Sequence, residues 1–283
     1  MWATASASVI GTAHSRNGHI CQDFSMVKAI EIGGHEYLLA FISDGAGSAP
    51  YSHIGAELAC SVMLECVEKS LANRSLSEID SPHASEWFET IKQAIHTEAE
   101  ANAHSAREYA CTFVGAIIGA SSALFMQVGD GGIVAYTNEC WGVVIWPDIE
   151  MYANMTNFVT QDDVLDCVSI TATQEKINKV ALFSDGLQRV VLNFTQQVPH
   201  VQFFESVFGT LEEQFVQKNK LAMACSSISK KTGIGAVLNK EGKDKQNNTR
   251  SVFDEHMSYF LNSDQINFRT DDDKSLIIAA CMD

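Results

Sequence analysis

ACTFVGAIIGASSALFMQVG, residues 110 to 129, carries no charged side chain over a length that could cross a bilayer. Its centre, GASSA (residues 119–123), breaks the apolar run with small and polar residues. TFVGAII and ALFMQV on either side are strand-length and rich in aliphatic and aromatic side chains. The stretch therefore reads as a buried β-hairpin and not as a membrane helix.

Working outward, further strand-like runs fall at about 4–10, 37–43, 132–137, 142–146, 167–171, 179–184 and 275–281. Helical periodicity occupies about 53–73, 83–107, 198–230 and 251–262. Strands in hairpin-like runs, without strict β-α-β alternation, imply an α+β fold of largely antiparallel sheets with helices packed outside. The polar stretch 230–250 reads as a surface loop. Neither a long linker nor a domain-sized repeat divides the chain, so residues 1–283 are expected to form a single domain.

Composition narrows the function. Lys plus Arg number 19 against 35 Asp plus Glu, a formal charge of −16 that would repel a polyphosphate backbone, so nucleic acid is excluded as the expected ligand. The first residues, MWATASASVIG, alternate small polar with apolar side chains and suit a first strand better than a secretory leader. Eight cysteines, at 21, 60, 66, 111, 140, 167, 225 and 281, form no C-x-x-C pair, which disfavours zinc and fits a reducing, cytoplasmic setting.

Acidic residues recur where apolar runs end. Asp-Gly follows such a run in FISDG (Asp44), QVGDG (Asp130) and LFSDG (Asp185), while Asp271-Asp272-Asp273 precedes the last strand-like run. For Asp130 two readings stand side by side: a two-residue hairpin turn joining ALFMQV to IVAYT, or a ligand. The turn reading fails for Asp44, because the chain continues into a loop and helix instead of a returning strand. An acid at a strand end with glycine beside it presents oxygen ligands that a cation can approach closely. Gln22-Asp23 adds a further acid between apolar segments. Carboxylates without a Cys or His ligand pattern select hard ions such as Mg²⁺, Mn²⁺ or Ca²⁺.

In order, Gln22-Asp23, FISDGAGSA, CTFVGAIIG, QVGDG, LFSDGL and DDDKSLIIA resemble the metal-dependent Ser/Thr protein phosphatases of type 2C (PPM), particularly their compact bacterial branch; the resemblance runs from Gly11 to Ala280. It implies a four-layer α-β-β-α sandwich with metals at the ends of two sheets, and hydrolysis of phosphoserine or phosphothreonine by water activated between two ions, Mn²⁺ or Mg²⁺. By the same resemblance Asp44 bridges the ions, the Gly45 carbonyl assists at the second, and Asp185 and Asp272 hold the first. Asp23 and Gln22 would orient waters around them, Thr112 matches the family's threonine at the start of a hairpin strand, and Asp130 would join Asp185 around a third, weaker ion. The implied partners are a phosphorylated protein and an opposing Ser/Thr kinase.

Three positions depart from the family pattern. The arginine that many relatives place four or five residues before the first Asp is replaced by His19 and Gly18, leaving Arg16 as the nearest arginine. Ala46 stands where many relatives have a general-acid histidine, which leaves His14, His19 or solvent to protonate the leaving oxygen. Arg189 stands where an acid would support the third ion. These departures keep open a second reading, a catalytically weak or inactive module that binds a phosphorylated partner through the same fold.

Overall fold

The computed structural model describes residues 1–147, 156–232 and 251–282, with the backbone alone for 221–232. In chain order its elements are β1 (Trp2–Val9), α1 (Thr12–Arg16), β2 (Phe24–Ile32), β3 (His35–Ser43), α2 (Ser52–Leu71), α3 (Ser81–Ala101), β4 (Phe113–Ile118), β5 (Ala123–Val128), β6 (Gly132–Thr137) and β7 (Cys140–Ile145). There follow α4 (Val164–Cys167), β8 (Ser169–Thr173), β9 (Lys179–Phe183), α5 (Asp185–Val191), β10 (Leu192–Asn193), β11 (Val198–Pro199), α6 (Val201–Thr232), α7 (Val252–Leu261), α8 (Asp264–Asn267) and β12 (Lys274–Cys281). The expected surface loop at 230–250 lies outside the described residues except at its first three positions, which complete α6.

Two five-stranded antiparallel sheets, ordered β1-β12-β9-β6-β7 and β2-β3-β4-β5-β8, stack face to face. Leu38, Ile42, Val114, Phe125, Leu182 and Ile277 fill the space between them. The outer face of the second sheet, through Leu39, Phe41, Phe113 and Met126, packs on Met63 and Val67 of α2 and Phe88 and Ile91 of α3. The outer face of the first packs on Leu187, Phe204, Phe208 and Met257 from α5, α6 and α7. The result is the four-layer α-β-β-α sandwich. Strands covered on both faces have no solvent side to alternate with, which is why every position of β4 and β5 is buried and all but Gln127 are apolar.

Residues 110–129 form the expected hairpin, with β4 and β5 in register from Phe113↔Val128 to Ile118↔Ala123. Burying each large side chain there stabilises the fold by about 1.5–3 kcal/mol, so the sandwich accounts for the apolar run. Among the described residues no helix is long and apolar enough to cross a membrane. The first strand follows the simplest pattern: Ala3, Ala5, Ala7 and Val9 face the helices and the residues between them turn the other way.

Register carries the acids to one end of the sandwich. Phe24 pairs with Ser43, Gly132 and Leu276 both pair with Phe183, and Val9 pairs with Lys274. The starts of β2, β4, β6 and β12 therefore lie beside the ends of β1, β3, β5 and β9. The hairpin reading of GDGG is corrected here: β5 pairs with β4 and β8, and β6 with β7 and β9, so Gly129-Asp130-Gly131 crosses from one sheet to the other. Gly129 turns with φ +94°, and a Cβ there would meet Thr112 Cγ2 at 2.7 Å, so the crossing demands glycine.

Candidate active site

At the acid-bearing end of the sheets lies a cleft of about 280 Å³ lined by His14, Asp44, Gly45, Thr112, Asp130, Thr156, Asp185 and Asp272, among others. Each acid arrives from a different strand end. Asp44 follows β3, and Thr112 brackets it: the Thr112 N–H donates to the Asp44 carbonyl at 2.8 Å, while Thr112 Oγ1 accepts from the Asp44 N–H at 3.1 Å. Asp185 opens α5 directly after β9. The chain can make that turn only because Gly186 has no side chain: a Cβ there would stand 2.0 Å from the Asp273 carbonyl oxygen. On the inter-sheet crossing, Asp130 accepts a 2.9 Å hydrogen bond from Thr156 Oγ1, and its carbonyl accepts from Gln188 Nε2.

Asp23 and Gln22 sit behind this cleft. Both are buried. Asp23 Oδ2 accepts from Ser184 Oγ at 2.7 Å, and Ser184 Oγ in turn accepts from the Ser275 N–H at 2.9 Å, which ties the start of β2 to β9 and β12. Gln22 Nε2 donates to Ser52 Oγ at 2.7 Å and to the Ala49 carbonyl, anchoring the start of α2. Arg16 is exposed on α1 and does not line the cleft; Arg189 is likewise exposed, on α5.

Of the three consecutive acids, each does something different. Asp272 is exposed and faces the cleft, whereas Asp273 is buried and turned inward. Asp273 Oδ1 accepts from the Gly11 N–H at 2.6 Å, Oδ2 accepts from the Gln22 N–H at 2.7 Å, and His14 Nδ1 lies 3.0 Å from Oδ2. This carboxylate fastens the loop between β1 and β2 to the start of β12. Composition alone does not distinguish it from Asp271 and Asp272; the signal available in the sequence is its place directly before the buried Lys274, where the chain turns into the core.

A family model described as Protein phosphatase 2C matches residues 10–224. The chain belongs to the protein phosphatase 2C family. Serine/threonine-protein phosphatase 3 of Escherichia coli strain K12 is 31% identical over 279 residues, covering 98% of each sequence. Among solved structures, the serine/threonine phosphatase of S. agalactiae superposes over 100% of both chains with a TM-score of 0.57 at 13% identity. The catalytic domain of the phosphatase PstP, solved in complex with two manganese ions, gives 0.56 at 12% identity over 100% of this chain and 99% of that one. At such identities these two structures show a shared fold.

The 2C phosphatases are metal-dependent, and the cleft residues fit a cation on their own terms. Burial pushes the Asp44 carboxyl well above its ordinary range, reinforced by the negative charges of Asp23, Asp185 and Asp130. Asp185 is pushed up to about 6, first by burial and then by Asp130 and Asp272, against the opposing pull of hydrogen bonds from Asp44 and the Gly186 N–H. Asp23 rises to about 7, again chiefly through burial, partly offset by Ser184. Among the described residues no three acids, histidines or cysteines are already drawn together at ligand distance. Oδ1 of Asp185 and Oδ1 of Asp23 are nevertheless buried without any hydrogen-bond partner. Buried carboxylate oxygens lacking a donor are costly, and a divalent cation with its waters would satisfy them.

Proposed function

We propose that this 2C phosphatase hydrolyses phosphoserine and phosphothreonine in proteins, with two divalent cations, Mn²⁺ or Mg²⁺, held by Asp44, the Gly45 carbonyl, Asp185 and Asp272. The observation behind this reading is the convergence of carboxylates from four strand ends of two sheets on one cleft, with partnerless oxygens in its buried floor. When bound, the ions supply a water acidified at neutral pH and neutralise the phosphoryl oxygens. The protein's part is to hold their ligands in place. Thr112 fixes the Asp44 backbone from both sides, α5 carries Asp185 on a turn that tolerates glycine alone, and Asp273 locks the loop that brings Gln22 and Asp23 behind them. An acidic floor repels a phosphate dianion until cations compensate it, so substrate binding depends on the ions.

Asp130, beside Asp185, is the acid available to a third, weaker ion. We take the whole chain as one catalytic domain, supported by the relative that matches 98% of it, and a Ser/Thr kinase as the enzyme it opposes. The inactive-module reading is not favoured, because all the acids of the resemblance lie at one end of the fold. Release of phosphate from a phosphothreonine peptide tests the proposal. Activity is expected with added Mn²⁺ or Mg²⁺ and none in excess chelator; full activity in chelator would overturn it.

A further inference from the structure

We propose that His14 is the general acid of this reaction, giving its Nε2 proton to the serine or threonine oxygen as that oxygen leaves phosphorus. The inference rests on the reading of the cleft as a phosphatase site. His14 lies on α1 and lines the cleft with Asp44, Asp185 and Asp272. Its Nδ1 stands 3.0 Å from Asp273 Oδ2, at ion-pair distance but out of hydrogen-bond alignment, the side chain being 21% exposed and that of Asp273 3%. Asp273 is itself fixed by the backbone N–H groups of Gly11 and Gln22. The far edge of the ring therefore has a set direction: Nε2 leans toward the loop after Asp44, 3.8 Å from where a Cβ on Gly47 would stand. With Asp273 packed against Nδ1, the ring leaves its Nε2 edge to the cleft.

Elimination within the cleft leads to the same residue. Among the described residues its other titratable side chains are Asp44, Asp130, Asp185 and Asp272, carboxylates required by the cations, and its remaining polar side chains, Ser48, Thr112 and Thr156, are alcohols no more acidic than the leaving group. Ala46, directly after the first Asp-Gly, has no proton to give. The His19 ring lies 5.7 Å from that of His14 but is exposed and outside the cleft lining. A water oxygen bonds to phosphorus while the ester P–O bond breaks, the electron pair of that bond goes to the leaving oxygen, and this oxygen takes the Nε2 proton and departs as an alcohol. Hydrogen phosphate keeps one proton of the water, the other passes to solvent, and His14 is reprotonated from solvent.

Leaving-group chemistry tests the assignment. His14→Gln, which keeps an amide donor for Asp273, and His14→Ala are assayed with Mn²⁺ on a phosphothreonine peptide and on p-nitrophenyl phosphate, alongside melting temperatures. An alkoxide needs a proton to leave and nitrophenolate does not. We expect kcat on the peptide to fall by about 100-fold or more, with kcat on the aryl ester and the melting temperature of His14→Gln nearly unchanged. Equal losses on both substrates, or a rise in KM on both with kcat intact, would show a phosphate-binding or structural histidine and overturn the proposal. Mn²⁺-dependent turnover of either substrate by the unaltered protein establishes the site reading separately, so the two claims fail independently.

Discussion

Replacing Asp273 with asparagine, beside the same change at Asp272, separates the carboxylate that holds the fold from one that faces the cleft. In Asp273→Asn the amide oxygen can still accept from one of the two backbone N–H groups now bonded at 2.6 and 2.7 Å, but the amide nitrogen must face the other. One backbone N–H and one side-chain NH₂ are then buried without an acceptor, at about 1–3 kcal/mol each. The expected loss is therefore about 2–6 kcal/mol, a fall in melting temperature of about 5–20 °C for a chain of this size. Asp272→Asn removes a charge from an exposed acid that helps push Asp185 upward, so the protein in chelator should be as stable as the parent or slightly more so. Its cost should appear in Mn²⁺ affinity. Thermal melts of both variants, in chelator and with Mn²⁺, make the comparison. If Asp272→Asn destabilises the protein in chelator as much as Asp273→Asn, the division of labour between the two acids is wrong.

Gly186→Ala should abolish activity and lower the melting temperature, because its methyl group would overlap the Asp273 carbonyl and force α5, with Asp185, away from β12; retention of both within twofold and 2 °C, well inside the ordinary effect of a clash of about 1–3 kcal/mol, would show that the turn relaxes freely. The raised acids also set a pH dependence. Burial pushes Asp23 and Asp185 up to about 7 and about 6 from an ordinary 3.8, so the native state binds more protons than the unfolded chain between about pH 4 and 7. Their contribution to stability is complete below that window and is lost as pH rises through it. In chelator the unaltered protein should lose more stability between pH 5 and 8 than Asp23→Asn does, on melts run in parallel; equal slopes would mean that Asp23 titrates normally.

Strands buried on both faces were the most legible elements, because β3, β4, β5, β9 and β12 carry continuous apolar runs with few other interpretations. The edge strand β2 was not: FSMVKAIEI is half-exposed through most of its length and mixes charge with apolar residues. GDGG suits a hairpin turn as well as a ligand loop, because local sequence records a reversal and says nothing of a change of sheet. Asp44, Asp130 and Asp185 could be found because each ends an apolar run before glycine. Asp273 escaped notice beside two identical neighbours, since its role depends on the Gly11 and Gln22 backbones more than 250 residues away. Arg16 offered a guanidinium near the right place in sequence, but α1 directs it to solvent while His14, two residues earlier, faces the cleft.

The central claim, that the carboxylates of Asp44, Asp185 and Asp272 hold two divalent cations, is tested most directly by calorimetric titration of Mn²⁺ into the chelator-stripped protein and into Asp44→Asn. The account predicts two ions bound by the parent, with protons released below neutral pH as the raised acids ionise, and the loss of both tight binding steps in the variant. A parent that binds no Mn²⁺, or an Asp44→Asn protein that still binds two ions with unchanged affinity, would contradict it.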